Sequence, residues 1–228
     1  MDIISIIPAR GGSKGIPRKN IKLLNGKPLI YYSIEASKSC NFISKTFVST
    51  EDDEISEISK KLGSQVIKRP LNLANDKSSS IDVIFHVLDY LEDKNSLPEI
   101  FVLLQPTSPL RTSKDITNAI ELFKSNECDS LVSVSELNHQ SLLNFSLNEG
   151  YLVQNTEKEF FNSRRQDLPT YYVLNGAIYI TTPDFIRKNK SFYGDRTIPY
   201  LMPKERSIDL DTPLDFKIVD FLMRCDDE

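Results

Sequence analysis

The fold is indicated first by the stretch IISIIPARGGSKG, residues 3–15, in which an apolar run meets a glycine-rich, basic loop. Continuous short apolar runs are typical of strands buried on both faces of a parallel sheet. Of the chain's eight glycines, three lie in this loop. Glycine lets the backbone approach a ligand closely and point several amide N–H groups at it. The stretch therefore predicts a first strand followed by a ligand-binding loop.

Outward from this stretch, β-rich apolar runs alternate with segments of helical periodicity. The sequence predicts further strands at 46–49, 65–67, 100–104, 131–134 and 172–180, with a weaker candidate at 208–210. Helix starts are predicted at Pro28, Ser80, Ser113 and Thr212. One more helix is indicated by Ile55, Ile58, Leu62 and a terminal Gly63. This alternation favours an α/β fold, an open, mostly parallel sheet with helices on both faces.

Such a sheet binds ligands beyond the carboxyl ends of its strands, which directs attention to the loops after Ile7, Ile67 and Leu104. Between Ile3 and Ile34 the chain carries six basic residues and no acidic one. A local positive loop in an acidic protein favours a compact polyanion such as phosphate. The spacing matches neither the Walker A loop nor the Rossmann GxGxxG pattern. The alternative is a solvated turn that is merely basic.

Composition excludes several classes of protein. The 228 residues carry a net charge of −4, which counts against a general nucleic-acid binder. No apolar run approaches the roughly 18 residues of a membrane span, and no secretory signal pattern is present, so we expect a cytoplasmic protein. Three scattered cysteines and two histidines make a disulfide framework or a zinc site improbable. A bound metal is expected to be a hard cation such as Mg²⁺.

The alternation breaks between residues 137 and 170, which are polar, Asn-rich and weakly periodic. A long surface loop is one interpretation. Loops above roughly 12–15 residues are uncommon unless they are functional, so an extending arm or lid is the other.

Five blocks in order resemble the acylneuraminate cytidylyltransferases, or CMP-sialic acid synthetases. The blocks are residues 6–20 (IIPARGGSKGIPRKN), 69–76 (RP with LAND), 104–111 (LQPTSPLR), 165–179 (RQDLP with NGAIY) and 208–212 (IDLDT). The resemblance implies a Rossmann-like nucleotidyltransferase fold over 1–136 and 171–228. It also implies that 137–170 is a small dimerisation arm and that the protein is a homodimer.

The activity that the resemblance implies is transfer of CMP from CTP to the anomeric hydroxyl of a nine-carbon nonulosonic acid, with Mg²⁺ and release of pyrophosphate. The sugar would be of the N-acetylneuraminic or di-N-acetyl-legionaminic type. Alternatives are a cytidylyltransferase for pseudaminic acid or 3-deoxy-octulosonate, a nucleotidyltransferase acting on a sugar 1-phosphate, and a non-catalytic nucleotide-binding protein on the same scaffold.

Roles follow for the CTP-binding residues. Arg10 and the backbone N–H groups of Gly11, Gly12, Ser13 and Lys14 are expected to cradle the phosphates. Lys19 is expected at the α-phosphate and Asn20 at the ribose. The resemblance implies that Arg69, Ser78 and Ser80 bind the cytosine. The alternative for Arg69 is a surface ion pair. Arg111 is expected to shape the loop after the central strand rather than to take part in chemistry.

For the sugar acid, an arginine suits the carboxylate because it forms two parallel hydrogen bonds. The resemblance points to Arg165, with Arg164 as a rival. Contacts to hydroxyl and acyl-amide groups are expected from Gln105, Gln166, Asn175 and Tyr179. The alternative for Tyr179 is that it is a core aromatic residue on a strand.

Asp209 and Asp211, two apart on the candidate strand, would face one side and hold Mg²⁺. Asp211 would also take the hydroxyl proton, directly or through metal-bound water. Asp215 is expected to be the acid of a helix cap.

Overall fold

The computed structural model describes residues 1–13, 15–75, 78–138, 143–155, 164 and 168–225. The strands are β1 (Ile3–Pro8), β2 (Leu23–Leu24), β3 (Lys27–Pro28), β4 (Lys45–Thr50), β5 (Gln65–Lys68), β6 (Ile100–Leu103), β7 (Ser130–Glu136), β8 (Phe145–Asn148), β9 (Tyr151–Gln154), β10 (Tyr172–Thr181) and β11 (Thr197–Leu201). The α-helices are α1 (Leu29–Lys38), α2 (Asp53–Lys61), α3 (Ser80–Asp93), α4 (Ser113–Ser125), α5 (Pro183–Asn189) and α6 (Pro213–Cys225).

The central sheet has the strand order β11-β7-β10-β6-β1-β4-β5. Neighbouring strands run parallel except at β10, which lies antiparallel to both β6 and β7. The chain passes from β1 through β4 to β5 at one edge and then returns to the other side of β1 as β6. The carboxyl ends of β1 and β6 therefore flank the topological switch point, where open α/β sheets bind ligands.

Helices cover both faces of the sheet. On one face α1, α2 and α4 pack against the strands through side chains such as Ile34, Ile55 and Ile120. On the other face α3 and α5 do so through Leu88 and Ile186. The predicted architecture, a mostly parallel sheet between two helical layers, is confirmed. Among the described residues no helix is both long and apolar enough to span a membrane.

Side-chain caps set the helix starts. Ser79 and Thr112 are the N-caps of α3 and α4, and each exchanges hydrogen bonds with an aspartate at the third helical position. The predicted caps, Ser80 and Ser113, are instead the first helical residues. The aspartate determines the cap because it must lie three residues beyond it. Thr212 caps α6 through Asp215, as predicted.

In the central sheet and the helices packed on it, α5 and β11 have no counterpart in the sequence prediction. Thr182 caps α5 with Pro183 in its first turn, the same Thr-Pro signal that located α6. The predicted strand at 208–210 is wrong, because residues 207–211 form an irregular segment outside the sheet. We call this segment the aspartate loop. It lies against the loop after β6, where the amide of Leu210 donates to the Thr107 carbonyl at 2.9 Å.

The segment 137–170, predicted as an inserted arm, contains a separate hairpin of β8 and β9 that lies outside the central sheet. Several apolar side chains of this hairpin are exposed, namely Phe145, Leu147, Tyr151, Leu152 and Val153. Residues 139–142, 156–163 and 165–167 lie outside the described part of the chain. The assignment of the segment to a dimerisation arm stays a prediction.

Candidate active site

A cleft of about 290 Å³ opens at the switch point. Its wall combines the loop after β1 (residues 9–18, the first loop), the segment after β5, the start of α3 and the loop after β6. The structure brings together in this wall the predicted site residues Arg10, Gly12, Ser13, Lys19, Asn20, Arg69, Ser78, Ser80 and Gln105. The carboxyl ends of neighbouring parallel strands meet at one edge, which explains why distant sequence blocks converge here.

The first loop is held in shape by hydrogen bonds to residues outside it. Asn20 is buried, and its Nδ2 donates to the backbone oxygen of Arg10 at 2.9 Å. The amide of Gly11 donates to Oε1 of Glu51 at 2.7 Å, so this N–H group already has a partner. Gly11 does not line the cleft. Lys14 lies outside the described residues.

Lys19 lines the cleft and also contacts the aspartate loop. Its Nζ donates to the Leu210 carbonyl at 2.7 Å and lies 3.3 Å from Oδ1 of Asp211. The ammonium group therefore stands between the cleft, which it lines, and a carboxylate of the proposed metal site. A cation in this position can meet a phosphate without losing its contact to the protein.

Arg69 is buried, with 5% of the residue exposed, so the alternative of a surface ion pair does not describe its position. Its guanidinium donates from Nη2 to the Ser49 carbonyl at 2.7 Å and from Nε to the Ser49 hydroxyl at 3.2 Å. Burial lowers the pKa of Arg69 to about 10. Ser78 and Ser80 line the cleft beside it. A buried cation held by neutral acceptors is well placed to bind an anionic or carbonyl oxygen.

Gln105, Gly176 and Asp209 come close together beside the cleft, which Gln105 lines. Gly176 lies in β10 with a φ of +72°. A Cβ atom there would lie 3.4 Å from Oε1 of Gln105 and 3.8 Å from Oδ2 of Asp209. Gly176 received no role from the sequence. A glycine inside a strand often marks close approach of another group, and this signal was present.

Asp209 and Asp211 belong to the aspartate loop and not to a strand, so their proximity does not come from strand alternation. Although Asp209 is solvent-exposed, partial desolvation by the surrounding protein raises its pKa, and the nearby charge of Asp211 adds to this effect. The Asp211 side chain is open to solvent. Asp215 accepts hydrogen bonds from the amides of Asp211 and Thr212, as expected of a cap acid.

The aspartate loop is fastened by contacts that could not be read from the sequence. Arg206 forms a two-pronged ion pair with the buried Asp115 of α4, with distances of 2.8 and 3.1 Å. Ser207 accepts a hydrogen bond from Nδ2 of Asn175 at 3.0 Å. No local sequence signal marks these pairs, because Arg206 and Asp115 lie 91 residues apart.

The remaining predicted sugar-binding residues lie in different surroundings. Asn175 is buried, and its Oδ1 accepts from the Ser133 hydroxyl at 2.6 Å, where β10 shifts register against β7. Tyr179 is buried against Phe192 with ring centroids 5.0 Å apart, and burial raises its pKa to about 12. Neither residue lines the cleft. Arg165 and Gln166 lie outside the described residues.

Arg111 supports the loop after β6 from the protein interior. It is fully buried, and its Nη1 donates to the carbonyls of Gln105 at 3.1 Å and Ala177 at 2.9 Å. Its Nη2 donates to the Ser33 hydroxyl of α1 at 2.6 Å. Burial lowers the pKa of Arg111 to about 9. These contacts join β6, β10 and α1 beneath Gln105, which agrees with a loop-shaping role.

Among the described residues no group of three His, Cys, Asp or Glu side chains forms a ready-made metal site. Two carboxylates nevertheless fit Mg²⁺, which usually takes one or two protein carboxylates and completes its shell with water and substrate phosphates. Desolvation raises the pKa of Asp209 and the charge of Asp211 adds to this effect, and a bound divalent cation would favour the charged carboxylate.

The sequence and the fold of the chain are similar to those of known proteins. Residues 4–222 match the family model described as Cytidylyltransferase. The chain is 41% identical over 221 residues to an N-acylneuraminate cytidylyltransferase of Streptococcus agalactiae serotype V, covering 95% of this chain and 52% of the relative. It is 37% identical over 237 residues to the CMP-N,N'-diacetyllegionaminic acid synthase of Legionella pneumophila subsp. pneumophila, covering 100% of this chain and 99% of the relative.

A solved structure titled CMP:2-keto-3-deoxy-manno-octonic acid synthetase complexed with CTP shares the fold. Its TM-score is 0.75 at 18% sequence identity, and the match covers 99% of this chain and 100% of that one. The chain spans about half the length of the streptococcal relative and nearly the whole length of the legionaminic acid synthase. With the family model matching residues 4–222, the chain belongs to the cytidylyltransferase family.

Proposed function

We propose that the protein transfers CMP from CTP to the anomeric hydroxyl of a nine-carbon nonulosonic acid and releases pyrophosphate. The observation that carries this proposal is that a basic glycine-rich loop and the buried Arg69 line one cleft, next to a pair of aspartates. Asp211 contacts Lys19 of the cleft, and Asp209 lies near Gly176 and Gln105. The names of the streptococcal and legionellal relatives favour an acceptor of the neuraminic or legionaminic type.

The charge distribution suits a triphosphate. CTP carries about four negative charges, and attack by an oxygen nucleophile requires those charges to be neutralised and the groups to be aligned. Arg10 and Lys19, with Lys14 of the same loop, would supply positive charge at the phosphates. Gly12 and Ser13 line the cleft beside them, where Gly12 leaves room for a close approach. Arg69, Ser78 and Ser80 line the same cleft and would hold the base.

The sugar acid would occupy the side formed by Gln105 and Gly176. The absence of a side chain at Gly176 keeps the space beside Oε1 of Gln105 open, which suits a hydroxyl or acyl-amide group. Arg165 would pair with the sugar carboxylate through two parallel hydrogen bonds. Asn175 and Tyr179, which lie behind this wall, would act by fixing the register of β10 beneath it.

In the reaction the anomeric oxygen forms a bond to the α-phosphorus, and the bond from that phosphorus to the oxygen leading to the β-phosphate breaks. Pyrophosphate leaves with the electron pair, and the hydroxyl proton passes to the carboxylate of Asp211. Lys19, which already contacts Asp211, would move its charge toward the α-phosphate as negative charge develops there. Asp209 and Asp211 would hold Mg²⁺, which supplies charge neutralisation at the phosphates.

We also propose a cytoplasmic homodimer, since a reaction that consumes CTP belongs where nucleoside triphosphates are made. The hairpin of β8 and β9 exposes several apolar side chains, and Tyr172 and Val173 at the start of β10 are exposed as well. Contiguous exposed apolar surface often marks a protein–protein contact. A second copy of this chain is the partner that a dimerisation arm would bind.

The proposal is tested by measuring pyrophosphate release with CTP and Mg²⁺. Separate reactions contain N-acetylneuraminic, di-N-acetyl-legionaminic, pseudaminic and 3-deoxy-octulosonic acids, and one contains a sugar 1-phosphate. Release with one nine-carbon acid is expected and would name the substrate. If a folded protein that binds CTP releases no pyrophosphate in any reaction, the result would support a non-catalytic nucleotide-binding role instead.

A further inference from the structure

We propose that Glu51 is a positioning residue for CTP, which sets the shape of the first loop by holding the amide of Gly11. Glu51 follows β4 and belongs to none of the sequence blocks connected above with the site. The inference rests on the proposed function, because it assigns the phosphates of CTP to the first loop. Three features of the structure support it.

The first feature is the parallel pairing of β1 with β4. Pro8 pairs with Ser49, and the amide of Ala9 donates to the Ser49 carbonyl at 2.9 Å. The segments that follow β1 and β4 therefore leave the sheet side by side, and the first loop lies against the residues that follow β4. Oε1 of Glu51 accepts from the Gly11 amide at 2.7 Å directly beyond this pairing. A carboxylate that accepts from a backbone N–H forms a stronger bond than a neutral acceptor does.

The second feature is the neighbouring Asp52, which holds the same loop at two further points. Its carboxylate pairs with the guanidinium of Arg18, which also donates to Glu54 at 2.6 Å. The bond from Arg18 is the main reason that the pKa of Asp52 is lowered. Asp52 also packs so closely on Gly11 that a Cβ atom there would lie 2.5 Å from Oδ2 of Asp52.

Arg18 itself shows that the loop is held in a conformation it would not adopt freely. Its φ of +55° is in the left-handed region, which costs a non-glycine residue about 1 kcal/mol or more. By sequence, Arg18 counts among the bases available to phosphate. The structure instead places its guanidinium on Asp52 and Glu54. Loop strain of this kind persists where surrounding contacts fix it, and it recurs at ligand-binding sites.

The third feature is the position of the Glu51 side chain beside residues proposed to bind CTP. Glu51 lies close enough to Arg69 to act on its charge, and Arg10 acts on Arg69 as well. Oε2 of Glu51 is buried and has no hydrogen-bond partner among the described residues. Burying a carboxylate oxygen in this way costs stability. A local role in the site, rather than fold stability, accounts best for its position.

The test compares Glu51→Ala, Glu51→Gln and the control Glu57→Ala. Gln keeps an oxygen that can accept from the Gly11 amide, whereas Ala removes it. Glu57 is an exposed residue of α2 and serves as a control for loss of a nearby carboxylate. For each protein, the unfolding temperature is measured first. The Kd for CTP, by calorimetry, and the KM values for CTP and for the sugar acid are then measured well below that temperature.

We expect Glu51→Ala to weaken CTP binding about tenfold or more, the size typical of a lost hydrogen bond to a charged group. The KM for the sugar acid should stay within about twofold, and Glu51→Gln should restore most of the CTP affinity. Equal CTP binding by Glu51→Ala and wild type would overturn the inference, as would a defect of the same size in Glu51→Gln. Wild-type protein that binds no CTP would overturn the proposed function as well.

Discussion

At the scale of single residues, the site depends on contacts between groups that are far apart in the sequence. Lys19 meets the aspartate loop 191 residues further along the chain. Gly15 lies under the same loop, against the backbone oxygen of Asp211. These contacts set the distance between the first loop and the aspartate loop.

Replacement of Asp211 by Ala should lower kcat roughly a hundredfold or more, the size seen when one preorganised charged group is removed. Binding of CTP without metal should survive, because Arg10 and Arg69 remain. Steady-state kinetics and metal-free calorimetry check both parts. The matched control is Asp195→Ala, an exposed aspartate in the turn before β11. Near-normal turnover in Asp211→Ala would remove this carboxylate from the mechanism.

Gly15→Ala should destabilise the protein by about 1–3 kcal/mol, because the new Cβ would collide with the Asp211 carbonyl and backbone cannot move aside cheaply. Gly12→Ala is the control, since a Cβ atom at that position would have no other atom within 4 Å, and its stability should stay within about 0.5 kcal/mol. Urea unfolding of the two variants measures the difference. Equal stability would mean that the aspartate loop does not press on Gly15.

Which of these residues the sequence could identify depends on how local their signal is. Arg10, Lys19 and Arg69 stand in compact blocks, so their presence in one cleft could be expected. Glu51 could not be found in this way, since its partner Gly11 lies 40 residues earlier and a single acid after a strand carries no pattern. The sequence pairs Asp209 and Asp211 through a predicted strand, which the structure does not contain at that position.

At the scale of elements, patterns of apolar spacing and caps were informative where a helix or strand is regular. The Thr212-Pro213 signal predicts α6, and the equivalent Thr182-Pro183 signal lies at the start of α5. The aspartate loop could not be predicted because its shape comes from tertiary contacts. It is held between Arg206, which binds Asp115, and Leu210, which binds Thr107.

Arg206→Gln should therefore destabilise the protein and lower kcat together. Asp115 is 2% exposed and Arg206 39% exposed, so we expect about 1–3 kcal/mol rather than the full cost of breaking a buried pair. Chemical unfolding gives this value, and turnover of the folded fraction gives the effect on the site. Arg187→Gln, which breaks a pair with the exposed Asp89 and Glu92, should cost less than about 1 kcal/mol.

The stability of the Arg206→Gln variant should also depend on pH in a characteristic way. Burial acts to raise the pKa of Asp115, but hydrogen bonds from Arg206 and Thr112 outweigh it, so the pKa lies below its usual value. A lowered carboxyl pKa adds stability above the unfolded value of about 4 and loses it as pH falls through the folded pKa. The loss of stability in Arg206→Gln should be largest near neutral pH and shrink below about pH 4. A loss that is constant with pH would contradict the ion pair.

At the scale of the whole molecule, the order of strands could be anticipated only in outline. Alternating strands and helices predict a parallel sheet, but they do not predict that β10 enters antiparallel between β6 and β7. That insertion brings Gly176 beside Gln105 and so completes the side of the cleft assigned to the sugar acid. The hairpin of β8 and β9 stands apart from this arrangement.

If the hairpin is the dimer contact, Leu147→Asp should convert the protein from dimer to monomer. Leu147 is 74% exposed, so a charge there should change folding stability little while opposing burial against a partner. Sedimentation velocity measures the mass in solution. Leu71→Asp, at a residue 80% exposed beside the cleft, is the control and should leave the dimer intact. A wild-type monomer, or a dimer in Leu147→Asp, would refute the assignment.

Transfer of a cytidylyl group to an anomeric hydroxyl can be followed directly by ³¹P NMR of the protein with CTP, Mg²⁺ and the nine-carbon acid that supports pyrophosphate release. We expect the three CTP signals to decline together while one phosphodiester signal and pyrophosphate appear in equal amounts. Formation of CDP with inorganic phosphate, or pyrophosphate with free CMP and no phosphodiester, would contradict the proposed transfer.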